Sequence, residues 1–251
     1  MQNYKRFRKK LYICHIKNLK TMEKYAEYIR QVEIPRLWGG RKHILWTLDP
    51  EVNVLSGANG IGKSTILRHV VSGVKAITKG VEDGVILKTC PEDATLLRFD
   101  LISTPDVRSE FDLNLNGLQE RIVHYPRGSQ WSLFCDIVDE LFAATGKTVN
   151  RCADRVELIQ WGETLDLRLL SSGEKQMLII LMTVLLEDCD HTILLMDEPE
   201  VSLHVEWQQV LIETIRRLNP NAQIIMSTHS PAIIMNGWLD KVTEVSDITV
   251  D

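Results

Sequence analysis

Two kinds of hydrophobic pattern alternate in the last third of the chain and predict an α/β protein. Continuous apolar runs end in polar residues at "ILLMDEPE" (193–200) and at "AQIIMSTHS" (222–230), which is typical of buried parallel strands. Between them, "HVEWQQVLIETIRRLN" (204–219) spaces its apolar residues as an amphipathic helix does. Strand–helix–strand order predicts a parallel sheet covered on both faces, with functional groups gathered at the carboxyl ends of its strands.

Shorter patterns predict further strands upstream. Alternation in "KLYICHIKNL" (10–19) indicates an early strand, and "ILWTLDPEVNVLSG" (44–57) holds two short apolar runs around a turn at Asp49–Pro50. Two more strand candidates are "GVILKT" (84–89) and "ATLLRFDLIST" (94–104).

Three more segments have the pattern of helices. They are "KSTILRHVVSGV" (63–74), "WSLFCDIVDELFAATG" (131–146) and "SSGEKQMLIILMTVLLED" (171–188). The third is predicted to begin with Ser171 or Ser172 as its N-cap, and Glu174 lies in its first turn. From Pro105 to about Gly162 the pattern is otherwise weak.

Composition narrows the class of protein. The 251 residues are 44% hydrophobic and 25% charged, which is typical of a soluble globular protein. Five cysteines without a C-x-x-C pair argue against a disulfide framework or a zinc site and are typical of a reducing compartment. The longest apolar runs are about half the length that a bilayer requires, so we expect a cytoplasmic protein without a transmembrane segment.

The net charge of −5 gives no overall basic field for nucleic acid. The exception is a cluster near the start of the chain, Lys5, Arg6, Arg8, Lys9 and Lys10. This cluster is either a solvated arm or a contact to a phosphate backbone. Nucleic-acid binding therefore stays open.

The most specific motif is "GANGIGKS", which fits G-x-x-x-x-G-K-[ST] between a predicted strand and a predicted helix. Its glycines let backbone N–H groups converge on phosphate oxygens, and the helix N-terminus adds its dipole. Lys63 is predicted to neutralise the β- and γ-phosphates of ATP, Ser64 to ligate Mg²⁺, and Thr65 to contact the α-phosphate. An ordinary glycine-rich turn is the weaker alternative.

Two carboxylates follow the buried strand of "ILLMDEPE". Bare acids at such a strand end are costly unless a metal or a reacting group meets them. Asp197 is therefore predicted to hold the Mg²⁺ shell, and Glu198 to polarise the attacking water. In isolation the pair could equally be surface acids.

Two further segments carry candidate chemistry. "LLSSGEKQ" (169–176) opens a helix with a serine and a glycine, which suits either a second anion cradle or a plain helix cap. Because the chain already has one phosphate loop, a second cradle would serve a nucleotide held by another copy. His229, just past the strand of "IIMSTHS", is a candidate hydrogen-bond partner of the γ-phosphate.

In this order, GANGIGKST, LSSGE, LLMDEPE and STHS resemble the motifs of ATP-binding-cassette (ABC) ATPases over nearly the whole chain. The resemblance implies that two copies close head-to-tail over two ATP molecules. By this resemblance, Glu198 is the catalytic glutamate and His229 is the switch histidine. Lys63 is the third residue expected to take part in catalysis. Ser171 and Gly173 contact the γ-phosphate across the dimer, and Ser172 and Glu174 replace the usual glycine and glutamine. The implied nucleotide-binding residues are Gly57, Ala58, Asn59, Gly60, Ile61, Gly62, Lys63, Ser64, Thr65, Ser171, Ser172, Gly173 and Glu174.

The resemblance also implies an architecture. We expect one α/β P-loop domain with a mainly parallel sheet, an antiparallel N-terminal β part and a helical signature subdomain. The core lobe is predicted over about 1–104 and 187–251, and the helical lobe over about 105–186.

The segment "EPEVSLH", together with GEKQ and STHSP, resembles the sequences of the non-transporter branch of this family. That branch includes RecF-like repair ATPases and the ATPase modules of overcoming-lysogenization-defect (OLD) type nucleases and anti-phage systems. No nuclease-type acidic cluster follows His229, so we expect a separate effector, such as a nuclease or another toxin-like subunit. The alternatives are the nucleotide-binding subunit of a transporter with a separate permease, and an ATP-sensing scaffold that hydrolyses slowly.

Two family positions are not fixed by the motifs. Gln130 is the first candidate for the metal-contacting glutamine and Gln119 the second, although either could be a solvated polar residue. Trp38 and Trp46 are the candidates for an aromatic contact to adenine, although a tryptophan in "ILWTL" is more often part of a core.

Overall fold

The structure is a computed structural model that describes residues 24–80, 84–103, 108–188 and 190–250. The strand predicted at 10–19 and the basic cluster at residues 5–10 lie outside the described residues. Within the described ranges, none of the helices combines the length and the hydrophobicity that crossing a bilayer requires.

Strands and helices alternate along most of the chain. The strands are β1 (Tyr28–Leu37), β2 (Lys42–Thr47), β3 (Val52–Ser56), β4 (Ile86–Cys90), β5 (Phe99–Ser103), β6 (Lys147–Val149), β7 (Leu158–Gln160), β8 (Glu163–Leu165), β9 (Thr192–Asp197), β10 (Ala222–Ser227), β11 (Val242–Glu244) and β12 (Thr249–Val250). The helices are α1 (Lys63–Lys79), α2 (Arg108–Ile122), α3 (Ser129–Phe142), α4 (Ser172–Leu186), α5 (Val205–Leu218) and α6 (Pro231–Ile234), with short 3₁₀ turns at Ala143–Thr145, Leu167–Leu169 and Leu239–Lys241.

A five-stranded parallel sheet forms the centre of the fold, in the order β11-β3-β10-β9-β5. Its register aligns the strand ends: Ser227 at the end of β10 pairs with Leu55 of β3 and with Asp197 of β9. The carboxyl ends of these three strands therefore meet at one edge, as the sequence predicts.

The central strands bury both of their faces, which explains their uninterrupted apolar sequences. Along β9, Ile193 and Leu195 belong to one core cluster, whereas Leu194 and Met196 belong to the other. The first cluster includes α1 and the antiparallel strands, and the second includes α3, α4 and α5. The two-residue repeat of a strand thus divides its side chains between two cores.

A four-stranded antiparallel sheet, in the order β12-β2-β1-β4, covers the α1 face of the molecule. Its longest strand, β1, was not predicted because charged and polar residues separate its buried positions Ile29, Val32 and Ile34. The buried Gln223 joins the two sheets: its amide donates to Ile29 O and Asp49 O at 2.8 Å and accepts from Ile29 N at 2.8 Å.

The helical part contains α2, α3 and α4 and a small antiparallel sheet, β6-β7-β8. Helix α4 is buried continuously from Glu174 to Leu185, which explains why its sequence from Met177 onwards is apolar apart from Thr183. The three-residue strands β6 to β8 are too short to leave a pattern in the sequence. The expected α/β fold with a parallel core, an antiparallel β part and a helical part is confirmed, whereas the lobe boundaries near 104 and 187 stay a prediction.

Candidate active site at the carboxyl edge of the parallel sheet

A cavity of about 490 Å³ lies at the carboxyl edge of the parallel sheet. Four separate segments of the chain meet there, namely Trp38 just after β1, the glycine-rich loop, the end of β9 and the residues after β10. The lining residues are Trp38, Asn59, Gly60, Gly62, Lys63, Ser64, Thr65, Glu198 and His229. The structure therefore brings together residues that the sequence separates by more than a hundred positions.

The glycine-rich loop leads directly into α1. Gly62 is the N-cap of the helix with φ of 110°, in the left-handed region, and no side chain caps the helix. A Cβ at Gly62 would lie 2.7 Å from the Trp38 ring, so this position excludes a larger residue for two reasons. Because the first-turn N–H groups receive no side-chain cap, the loop is suited to hold an anion.

Lys63 begins α1 with its side chain almost completely buried. Its Nζ donates to Gly57 O at 2.8 Å and to Ala58 O at 3.3 Å, so the ammonium folds back over the loop. Burial lowers the pKa of Lys63, and the nearby charges of Glu198, Asp197 and Glu200 oppose this shift. The lysine is the cation at the centre of an acidic site.

Asp197 and Glu198 stand at the end of β9, as predicted. Asp197 Oδ1 accepts a short hydrogen bond from Ser227 Oγ on the neighbouring strand. Glu198 adopts φ of 48°, an uncommon conformation for a residue with a side chain, while its N–H donates to Ser227 O at 3.1 Å. Such strain persists only where the surroundings fix it, and here the contact with β10 does so.

His229 faces Glu198 across the cavity. Its Nε2 lies 3.4 Å from Glu198 Oε1, and both side chains are partly exposed. An imidazole and a carboxylate are thus placed beside the lysine loop, where each can contact a bound phosphate or water.

Sequence reasoning missed a third acid, Glu200. This residue is buried, and its Oε1 accepts from Thr228 Oγ1 at 2.6 Å and from His229 N at 2.8 Å. The signal was present as the second glutamate of "DEPE", but its partners lie 28 and 29 residues further along the chain.

The serine–glycine segment opens α4 as a capping box. Ser171 Oγ accepts from Glu174 N at 3.2 Å, while Glu174 Oε2 accepts from Ser171 N and Ser171 Oγ at 3.0 Å each. Glu174 Oε1 also accepts from Lys147 Nζ at 2.8 Å in a buried ion pair. Ser172 and Gly173 follow as the first two residues of the helix.

Helix α4 makes a close contact with the segment that follows β9. A Cβ at Gly173 would lie 2.5 Å from the backbone oxygen of Ser202. No side chain fits this approach without a shift of the backbone. The start of α4 and the residues after Glu198 therefore form one packed unit.

The structure separates the two tryptophan candidates. Trp46 is buried in the core of the antiparallel part, whereas Trp38 lies against the glycine-rich loop and lines the cavity. Lys42 Nζ is 5.4 Å from the centroid of the Trp38 ring. Of the two, only Trp38 lines the cavity, and its contact with adenine stays a prediction.

Neither glutamine candidate lies in this cavity. The amide of Gln130 donates to Leu218 O at 3.3 Å, at the end of α5 and just before β10 begins, so it is at the opposite edge of the sheet. Gln119 is buried and exchanges hydrogen bonds with the backbone of Val156. The prediction that Gln130 contacts the metal is wrong, and so is that for Gln119, because residue type alone does not report position.

Strand β5 brings one more chain segment to the site edge. Its last residue, Ser103, pairs with Asp197 in the parallel register. The strand predicted at 94–104 includes Ser103, but its pattern gave no indication that it lies beside β9.

Two sequence comparisons find proteins similar to this chain. The family profile described as "AAA domain, putative AbiEii toxin, Type IV TA system" matches residues 161–236, which include Ser171, Asp197, Glu198 and His229. The "Retron Vc95 probable ATPase" of Vibrio cholerae serotype O1 biovar El Tor is 26% identical over 102 residues. That alignment covers 36% of this chain but only 20% of the relative.

Solved structures share the fold. The SMC head domain from Thermotoga maritima superposes with a TM-score of 0.55 and 14% identity, over 86% of this chain and 94% of that one. An SmcHead bound to the C-winged helix domain of ScpA gives a TM-score of 0.57 and 12% identity, over 83% of this chain and 92% of that one. The fold is therefore that of SMC head domains, and the glycine-rich loop together with the similarity to a probable ATPase supports a P-loop ATPase.

Proposed function

We propose that this protein binds and hydrolyses ATP, forms a head-to-tail dimer when ATP is bound, and thereby controls a separate effector protein. The observation that carries the proposal is the cavity that brings Lys63, Glu198 and His229 together. A buried lysine in an uncapped glycine loop, opposite a strained carboxylate, is what phosphoryl transfer to water requires.

Each element of the loop has a role in holding the triphosphate. The N–H groups at the start of α1 and the ammonium of Lys63 bind the phosphate oxygens. To do so, Lys63 exchanges its present contacts with Gly57 O and Ala58 O for phosphate. Trp38, which lines the same cavity, supplies an aromatic wall for the base.

The oxygens available at the site fit a magnesium ion. The hydroxyl of Ser64 and the carboxylate of Asp197 are hard donors, and Mg²⁺ prefers a few such ligands together with phosphate oxygens and water. The short bond from Ser227 Oγ fixes the orientation of Asp197, as an outer hydrogen bond does for a metal ligand. Bound there, Mg²⁺ would neutralise charge on the β- and γ-phosphates.

Glu198 and His229 are the residues placed for the chemical step. Glu198 orients the attacking water and accepts its proton, and the strained backbone keeps the carboxylate fixed. His229, 3.4 Å from Glu198, donates a hydrogen bond to the γ-phosphate and holds the glutamate in place. Glu198 therefore acts on the attacking water and His229 on the γ-phosphate, the two groups whose charge changes during hydrolysis.

Exposed apolar residues beside α4 support the proposed dimer. Leu169 is 71% exposed two residues before Ser171, and Val201 is 65% exposed beside Ser202, which contacts Gly173. An apolar rim around a serine–glycine helix start suits a surface that closes on a second copy. The ligand of that surface would be the triphosphate held by the loop of the partner.

The biological setting is proposed from the similarities. The name of the Vibrio relative places it in a retron, and the family description refers to a toxin of a toxin–antitoxin system. Both favour anti-phage defence, with DNA maintenance as the related setting of RecF-like proteins. The effector would be a nuclease or another toxin-like subunit.

Replacement of Glu198 by glutamine tests the proposal. The amide cannot accept the proton of water, so Glu198→Gln should bind ATP but accumulate as a dimer, measured by size-exclusion chromatography with light scattering. Glu206→Gln, at an exposed site in the first turn of α5, is the matched control and should behave like the wild type. Identical elution of wild type and Glu198→Gln in ATP would reject the hydrolytic switch and favour a slow, ATP-sensing scaffold.

A further inference from the structure

One buried carboxylate holds the segment that carries His229. Glu200 is 8% exposed, and one of its oxygens accepts two hydrogen bonds, from the Thr228 hydroxyl and from the His229 backbone N–H. Its second oxygen is also buried and has no hydrogen-bond partner among the described residues. Because both hydrogen bonds of this buried carboxylate come from Thr228 and His229, the carboxylate determines where these two residues lie.

Strand β10 ends at Ser227, and one further backbone bond, from Thr228 N to Leu55 O at 3.3 Å, joins the residues after it to the sheet. Thr228 Oγ1, which donates to Glu200, accepts in turn from Ser230 N at 2.9 Å. Ser230 Oγ donates to Gln208 Oε1 at 2.6 Å. Beyond Thr228, the side chains of Glu200 and Gln208 support this turn.

Glu200 lies on the same short segment as Glu198. That segment is a tight turn, in which Val201 N donates to Glu198 O at 3.3 Å and Leu203 N donates to Glu200 O at 2.8 Å. Glu200 thus fixes His229 relative to the very turn that presents Glu198. The same turn contacts α4 through Ser202 and Gly173.

We propose that Glu200 is a positioning residue that sets the imidazole of His229 against Glu198 by accepting the His229 N–H. This inference rests on the proposed ATPase function. Through Ser202, the turn also connects the site on one subunit to the α4 surface that would meet the nucleotide of the partner. Glu200 acts through His229 and does not itself touch the reacting atoms.

Two substitutions separate the hydrogen bond from the charge. Glu200→Gln keeps a carbonyl oxygen for Thr228 and His229, whereas Glu200→Ala removes the acceptor. In steady-state ATPase assays, Glu200→Ala should lower kcat by about 10- to 100-fold, the usual cost of misplacing a catalytic group, with KM for ATP within about twofold. Glu200→Gln should retain most of the wild-type kcat, and the exposed control Glu206→Ala should retain all of it. An equal loss in the Gln and Ala variants would assign the effect to buried charge and overturn the proposal.

A double-mutant cycle tests whether Glu200 acts through the histidine. In a His229→Ala background, adding Glu200→Ala should cause little further loss of kcat, because the group being positioned is already absent. Losses that multiply would mean that Glu200 acts independently of His229, and the proposal would fail.

Hydrogen–deuterium exchange gives a readout that needs no turnover. The amide of His229 should be protected in the wild type and in Glu200→Gln, and should exchange much faster in Glu200→Ala. Equal protection in all three proteins would overturn the positioning role. If the wild type bound ATP without hydrolysing it, the proposed function would fail, while the exchange pattern would still decide the role of Glu200.

Discussion

Two helices of this protein begin with a glycine- and serine-containing segment, yet their first turns are in opposite states. Helix α1 begins after Gly62 with no side-chain cap, and the nearby Lys63 bonds only to carbonyls of its own loop among the bonds described. Helix α4 begins after Ser171 with a complete capping box, and Glu174 is further held by Lys147. A ligand of α1 meets free N–H groups, whereas a ligand of α4 must compete with a carboxylate.

This difference gives the two helix starts different roles. An uncapped start with an adjacent lysine binds an anion by itself. A start that is already satisfied by Glu174 is stable without a ligand, and the Ser171 hydroxyl becomes available only if its bond to Glu174 rotates away. We therefore expect α1 to bind nucleotide in the monomer and α4 to contribute only when two copies meet.

Removing the cation of the α1 site should have the largest effect on ATP binding. Lys63→Ala deletes the group that neutralises the phosphates, and we expect ATP affinity to fall by at least about 100-fold, or about 3 kcal/mol, consistent with the loss of a buried charged hydrogen bond. Isothermal titration calorimetry with ATP measures this directly. Lys79→Ala, at the other end of the same helix, is the control and should bind as the wild type does. Retained binding in Lys63→Ala would contradict the assignment of the loop.

Breaking the ion pair behind α4 should come next. Lys147→Met leaves Glu174 buried without its cation, which should cost about 3–5 kcal/mol of unfolding free energy. The pair Lys147→Met with Glu174→Gln should recover much of that loss, since no buried charge remains. Urea denaturation of the three proteins measures both effects, and an unchanged midpoint in Lys147→Met would show that the pair contributes nothing to stability.

The same pair predicts a pH dependence. Burial raises the pKa of Glu174, but the hydrogen bonds from Lys147 and Ser171 outweigh it and leave the pKa below its ordinary value. A lowered carboxyl pKa adds stability that is present above the unfolded pKa and is lost as the pH falls through the folded one. The stability difference between wild type and Glu174→Gln should therefore shrink in acid.

A substitution with a smaller expected effect disturbs the contact between α4 and the turn that follows β9. Gly173→Ala places a Cβ against the Ser202 oxygen, and a backbone shift of this kind should cost about 1–3 kcal/mol. Gly117→Ala in α2 is the matched control: no atom lies within 4 Å of its added Cβ, and it should stabilise the helix slightly. Thermal unfolding compares the two, and equal melting temperatures would mean that the close contact relaxes without cost.

The parts of the site that the sequence predicts are those whose chemistry is local. The glycine loop, the acids after β9 and His229 each follow a strand whose apolar run is unmistakable, and the parallel register then brings them together. Glu200 was missed because its role depends on contacts that no local pattern encodes. Gln130 was placed wrongly for the same reason: its neighbour Leu218 is 88 positions away.

The fold follows the same division. Helices α1, α3, α4 and α5 were predicted because each has a regular apolar spacing or a clear cap. Strand β1 carries charges on its exposed face, and β6 to β8 are only three residues each. None of these strands therefore shows a clear alternation of apolar and polar residues. Tertiary packing, rather than intrinsic preference, forms these elements.

Gln223 joins the parallel and the antiparallel sheet by hydrogen bonds near the start of β10, at the edge opposite the cavity. A hinge at that place would break three buried hydrogen bonds at once, which is costly in a dry interior. We therefore expect the antiparallel and the parallel sheet to move as one rigid body when ATP binds and is hydrolysed. Any movement that accompanies ATP binding is then expected in the helical part of the molecule.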